Sequence, residues 1–408
     1  MIRKKLAIVV AITVLTGPVL TACGSSGRDA SSSSTTTAVK SLSVMDYFTD
    51  EPRHSQAQAM LDKCGASLGV SKINQTSVPA NTLIQTVLRQ ASSKTLPNVL
   101  MLDNPDIQQI AATGALAPLN DLGISADGYI SGAVSAATYQ GKLYGLQPGA
   151  NTIAIFYNKN MLAKAGVQPP RTWAELLSSA KKLTKAPRYG FAFNATGDYE
   201  GSWQFLPPMW TNGGDETALK SPQVAQALQL YKSLIAAGSS SKSVVNWSQG
   251  NVDDQFVAGK AAMMLNGPWQ IPTLTKVNFG VVPFPVNKAG QTSVAPLGGE
   301  AWTVPLNRDK AITQKAADLV KCMNSDANQL LWATQEGLVP TKTALAATFA
   351  KQDPAMAGFV DAVAHARSRT GKLGAKWPDV GKVIYTGEQL VLTGQATPAE
   401  AMAEAGAQ

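Results

Sequence analysis

The chain has 408 residues, with 35 Lys+Arg, 27 Asp+Glu, two His and three Cys. That length exceeds what one hydrophobic core usually serves, so two lobes are expected. An apolar fraction of 45% excludes disorder throughout, and the lack of any CxxC or HxxxH spacing argues against a metal cluster.

The formal charge of +8 is not a nucleic-acid footprint. Arg3, Lys4 and Lys5 precede an apolar run over 6–20, the layout of a secretion signal and too short to span a bilayer. Without those three, 35 − 3 = 32 cations face 27 anions, scattered along the chain. Leu20-Thr21-Ala22-Cys23 resembles the bacterial lipobox, in which the cysteine takes a diacylglyceryl thioether. Residues 1–22 are thus expected to be a lipoprotein signal and Cys23 the lipidation site. The acyl chains would tether the protein to the cell membrane on its outer side. Residues 23–41, rich in Ser and Thr, form the expected tether. Cys64 and Cys322 remain, either as a disulfide or as two buried thiols.

The folded part opens with a strand over 42–48, a helix over 55–68, a strand over 71–78 and a helix over 82–91. That second helix carries Leu83/Val87 and Ile84/Leu88 in i,i+4 register. A third strand follows over 97–103. Strands alternating with helices predict an α/β lobe with a parallel sheet, whose ligands sit at the carboxyl ends of the strands. Residues 49–51, Gln75-Thr76 and Asp103-Asn104 fall at such ends.

A Gly/Pro/Asn-rich stretch over 145–154 leads into a strand over 153–157, a crossover to a second lobe. Thr172-Trp173-Ala174-Glu175 reads as a capping box opening a helix. Ser221-Pro222 opens another, with Ser as N-cap and Pro at the first helical position. Helices are also predicted over 312–323, 326–336 and most of 380–404.

Four motifs then appear in order. Gly141-Lys142-Leu143-Tyr144-Gly145-Leu146 precedes Phe156-Tyr157-Asn158-Lys159-Asn160, and Pro170-Arg171-Thr172-Trp173-Ala174-Glu175-Leu176 follows. Next come Phe256-Val257-Ala258-Gly259-Lys260-Ala261-Ala262-Met263 with Gly267-Pro268-Trp269, and Leu392-Thr393-Gly394 with Thr397-Pro398-Ala399-Glu400-Ala401. Together they resemble the pattern of family 1 extracellular solute-binding proteins, in particular the carbohydrate-binding branch. The resemblance implies a periplasmic-binding-protein fold of type II, two α/β lobes of parallel-type sheets flanked by helices and joined by a multi-strand hinge. Lobe I would comprise 42–150 and 299–340, and lobe II 151–298 and 341–408. It further implies a monomeric receptor that passes a solute to the permease of an ATP-binding-cassette importer, without cofactor or catalysis.

A sugar site needs flat apolar faces and planar hydrogen-bonding groups. Of eight Trp residues, Trp173 and Trp332 fall in helical patterns and read as core, whereas Trp210, ahead of Thr211-Asn212-Gly213-Gly214, reads as either core or contact. Trp203, Trp247, Trp269, Trp302 and Trp377 fall in loops or at strand ends and are the stacking candidates. By resemblance to the maltose-binding branch, Trp269 would stack on a sugar ring and Asn151 would lie beside the hinge. Asp198-Tyr199-Glu200 would form a contact loop with Trp203. Leu102-Asp103-Asn104 departs from that branch, which has an aromatic and an Asp-Arg pair there. Gly298-Gly299-Glu300-Ala301-Trp302 resembles a Gly-Gly lobe junction, where backbone can approach a ligand closely. Glu300, Asp103, Asn104 and Asp50 complete the candidates. Glycerophosphodiesters, polyamines and oligopeptides are the other solute classes, and an anchored glycoside hydrolase is the alternative of another kind. The predicted cleft loops offer a phosphate only Arg53.

Overall fold

The computed structural model describes residues 38–353 and 355–407. The expected signal, Cys23 and nearly all of the tether lie outside them. Among the described residues no helix is long and apolar enough to cross a membrane.

Nine strands build the two main sheets: β1 (Ser41–Asp46), β2 (Lys72–Ser77), β3 (Val99–Asp103), β4 (Gly145–Leu146) and β5 (Ala154–Asn158), then β6 (Tyr189–Ala192), β7 (Ala261–Asn266), β8 (Phe279–Val282) and β9 (Glu300–Thr303). The first sheet has the order β2-β1-β3-β9-β4 and the second β8-β5-β7-β6. Parallel pairing holds for β2-β1-β3 and for β7-β6, while β9 joins β3 antiparallel with Glu300 opposite Asp103. The sheets are therefore mixed. The antiparallel strand arises because the chain re-enters the first sheet from the second lobe.

The helices that matter for the site are α1 (Arg53–Ser67), α2 (Ala80–Ser93), α3 (Trp173–Leu183), α4 (Tyr199–Thr211) and α5 (Pro222–Ala236), then α6 (Gln249–Val257), α7 (Lys310–Met323), α8 (Asp326–Glu336) and α9 (Trp377–Leu392). In α1 the buried set Ala57, Met60, Leu61, Cys64 and Gly65 follows helical spacing and forms one stripe against the first sheet. The α3 capping box forms in full, Thr172 accepting from the Glu175 amide and Glu175 from the Thr172 amide. Ser221 does sit at the N-cap of α5, but its hydroxyl makes no capping bond and is buried without a partner among the described residues. The long C-terminal helix predicted over 380–404 is two helices, because Gly394 adopts φ +80° and stops α9.

Hydrophobic side chains gather under each sheet. One core takes its members from 42–146 and 301–338, another from 153–284 and 377–402. Three segments cross between them side by side. Gly149–Ala150 pairs with Val339–Pro340, and Asn151 exchanges backbone hydrogen bonds with Gly298 at 3.1 and 2.8 Å. Cys64 of α1 and Cys322 of α7 form a disulfide, closing a separation of 258 residues within the first core.

Candidate functional site

The ends of β1, β3 and β9, the N-terminal halves of α1, α2, α4 and α9 and the turn after β7 surround a cavity of about 650 Å³. This falls within the range of small-molecule sites. Its wall includes Asp50, Asp103, Asn151, Tyr199, Glu200, Trp203, Trp269, Glu300 and Trp377, nine of the twelve expected ligand contacts.

The other three lie elsewhere. Trp302 is on β9, one pleat inward from Glu300, and packs in the first core beside Met101 and Leu146. Trp247 meets Tyr189 edge-on, with ring centres 6.3 Å apart, and does not reach the cavity wall. Asn104 is 1% exposed and accepts from Arg369 at 3.1 Å, so it orients a wall residue without forming the wall. Gln75 also turns away, donating at 2.7 Å to the buried Asp46. Neither Trp203 nor Trp377 is in a loop: Trp203 lies within α4 and Trp377 opens α9.

Glycines let the wall close. A Cβ on Gly298 would stand 2.1 Å from Asn151 Oδ1 and 2.6 Å from the Trp203 ring. Gly299, at φ +118°, would bring one to 2.1 Å from Gln147 Nε2. Both contacts are impossible, so the lobe junction requires this glycine pair. The Trp269 ring folds back over Gly267, where a Cβ would be 1.9 Å from it.

The polar groups fall into three sets. Glu300 accepts from the Tyr47 hydroxyl. Burial and then the nearby Asp103 charge raise the Glu300 pKa, and the Tyr47 bond partly offsets them. Asp103 is held by Arg369 through two bonds of 2.9 and 2.8 Å. Asp106, next to this pair on the wall, is pushed up to about 7 by burial and then by Asp103, with Arg369 acting the other way. Glu200 accepts from Asn194 Nδ2 at 2.9 Å and the Gln249 amide at 3.0 Å, so it also braces the start of α6. Its pKa is raised, burial outweighing those bonds.

Several wall residues carried no usable sequence signal. Tyr47 ends an ordinary strand pattern, and Tyr385 occupies a helical pattern. Arg369 lies in an irregular stretch between helices, far in sequence from Asp103. Trp332 is core, as expected, yet one side of it also meets the cavity. The second stripe of α2 could have been read: Leu83 and Val87 are buried, and Ile84 and Leu88, less buried, line the cavity together with Leu83.

Aromatic faces combined with carboxylates and amides can hold a hydroxyl-rich ring. Among the described residues no group of three or more His, Cys, Asp or Glu is arranged to hold a metal ion. Gly65-Ala66-Ser67-Leu68-Gly69 has the spacing of a hydrolase nucleophile turn. It instead ends α1, where the Ser67 hydroxyl donates to the Cys64 carbonyl at 2.8 Å.

The chain is 27% identical over 326 residues to the maltooligosaccharide ABC transporter solute-binding lipoprotein of Streptococcus pneumoniae serotype 4, covering 74% of this chain and 72% of that protein. It is 22% identical over 362 residues to the galactooligosaccharide-binding protein of Bacillus subtilis, covering 82% and 81%. Among solved structures it resembles the GacH receptor of Streptomyces glaucescens, known unliganded and with acarbose. That match has a TM-score of 0.79 and 26% identity, covering 90% of this chain and 97% of the receptor. The model of the family described as bacterial extracellular solute-binding protein matches residues 59–358. The chain belongs to that family of bacterial extracellular solute-binding proteins.

Proposed function

We propose that the protein is the lipid-anchored receptor of an ATP-driven importer, capturing a mono- or oligosaccharide in the cleft between its lobes. The observation that carries this is the cavity wall, where Trp269 and Tyr199 supply aromatic surface, bordered by the more deeply buried Trp203 and Trp377, and Glu300 and Asn151 supply hydroxyl partners. Relatives named for maltooligosaccharide and galactooligosaccharide support the solute class. The lipobox at Cys23 and a relative named as a lipoprotein support the anchor.

The function is capture without catalysis. The lobes we assign are 42–150 with 299–340, and 151–298 with 341–408, in keeping with three segments running side by side between the sheets. Ligand would shift a hinge equilibrium by its differential affinity for the closed form. The closed receptor, acting as a monomer, would then dock on membrane permease subunits served by a cytoplasmic ATPase.

A thermal-shift screen of the purified protein tests this, since a ligand of the native state raises the melting temperature by mass action. The panel comprises mono-, di- and oligosaccharides, glycerophosphodiesters and polyamines. A rise with one saccharide class is expected. Rises confined to phosphodiesters or polyamines would overturn the sugar.

A further inference from the structure

Arg53 is the first residue of α1, and its side chain is 30% exposed on the cavity wall. Its Nε lies 2.6 Å from Oε2 of Glu336, a carboxylate only 7% exposed at the end of α8. The guanidinium also lies 5.7 Å from the centre of the Phe48 ring, and Phe48 packs against Trp332. One edge of the fork is thus pinned and one face is covered. The two terminal nitrogens make no hydrogen bond to another described residue. An arginine held by an ion pair on one side and an aromatic ring on the other needs little further ordering to use its remaining donors.

The acceptor side is close by on the same wall. Glu300 shares the cavity with Arg53 and has one described side-chain donor, the Tyr47 hydroxyl. A carboxylate has about four lone-pair sites, so Glu300 retains acceptor capacity. A hydroxyl is both donor and acceptor. An arginine fork and a carboxylate facing one cavity are therefore satisfied together by neighbouring hydroxyls, each accepting from one and donating to the other.

Charge selects among ligands. The wall carries eight carboxylates against Arg53, Arg369 and Lys382, and both arginines already face acids. An anion at Arg53 would meet the surplus of negative charge, so a neutral ligand suits the fork better.

Taking the cleft as the ligand site, we propose that Arg53 determines specificity: held by Glu336, its fork donates to adjacent oxygens of a neutral polyol whose hydroxyls donate to Glu300. Glu336 is then a positioning residue.

Calorimetric titration of the parent protein tests this, with maltotriose, galactobiose, sn-glycero-3-phosphocholine and spermidine as probes. The same titrations follow for Arg53→Lys and for the double variant Arg53→Gln/Glu336→Gln. The first keeps the charge without the fork, and the second leaves no unpaired buried carboxylate. The saccharide bound by the parent should bind both variants about tenfold or more weakly, the loss expected for hydrogen bonds from a charged donor. The melting temperature of each unliganded variant should stay near that of the parent. Equal saccharide affinity in parent and variants would overturn the role of Arg53 and leave the receptor function intact. Binding of glycerophosphocholine or spermidine in place of both saccharides would overturn the neutral polyol. A parent that binds neither saccharide nor the other probes would remove the carbohydrate site and, with it, this role for Arg53.

Discussion

Asp103 holds both of its carboxylate oxygens against Arg369, at 2.9 and 2.8 Å, where the first sheet meets the second core. The Arg369 guanidinium carbon lies 4.4 Å from the centre of the Trp203 ring, so one side chain touches both lobes. Asp103 is thereby engaged by Arg369, whereas Glu300 beside it accepts from the Tyr47 hydroxyl alone among the described side chains. Breaking this pair from one side leaves a charge without its partner in a largely closed site.

Arg369→Gln should accordingly destabilise the unliganded protein by about 3 kcal/mol, as single truncation of a buried pair does. Adding Asp103→Asn should restore much of that loss, because the orphaned charge disappears. Denaturant melts of the three variants would decide it. Additive losses would mean that the two residues are not coupled.

Trp269→Ala should weaken saccharide binding at least tenfold and leave the unliganded melting temperature almost unchanged. The ring is half-buried, at a turn on the cavity wall, so it supports little of the core. An unchanged dissociation constant would remove Trp269 from the site.

The disulfide joins α1 to α7, so it ties the beginning of the first lobe to the segment that returns to it. Cross-links of this kind typically contribute about 2–4 kcal/mol. Cys64→Ser/Cys322→Ser should lower the denaturant midpoint accordingly while saccharide affinity is retained, since neither cysteine lines the cavity. Lost affinity at full folding would show that the bridge shapes the cleft.

Glu388 is wholly buried, both oxygens lack a hydrogen-bond partner among the described residues, and burial pushes its pKa well above the ordinary carboxylate value. In the unfolded chain it ionises near its ordinary pKa. Above that pH the unfolded state holds fewer protons than the folded one, so stability falls as pH rises towards the folded pKa. The slope is about 1.4 kcal/mol per pH unit for one proton. Glu388→Gln removes this contribution. The stability of the variant relative to the parent should rise from pH 5 to pH 8, and a difference constant across that range would mean that Glu388 is not held neutral.

Part of this protein was legible in the chain itself. The capping box at Thr172 and the buried stripe of α2 are local signals, set by residues within a turn or two of one another. Motif order carried the fold, and Trp269 and the Gly298-Gly299-Glu300 segment could be assigned to the cleft from it. Which other tryptophans line the cavity was decided only by tertiary packing. Trp302 and Glu300 lie two residues apart on one strand, yet one is core and the other is cavity wall, because Trp302 sits further along the strand, within the first hydrophobic core. The same holds for the paired charges. Asp103 and Arg369 are 266 positions apart, and Cys64 and Cys322 are 258 apart. No local pattern encodes such pairs. They form because two sheets and the crossings between them bring distant segments together and exclude the water that would otherwise solvate each group alone.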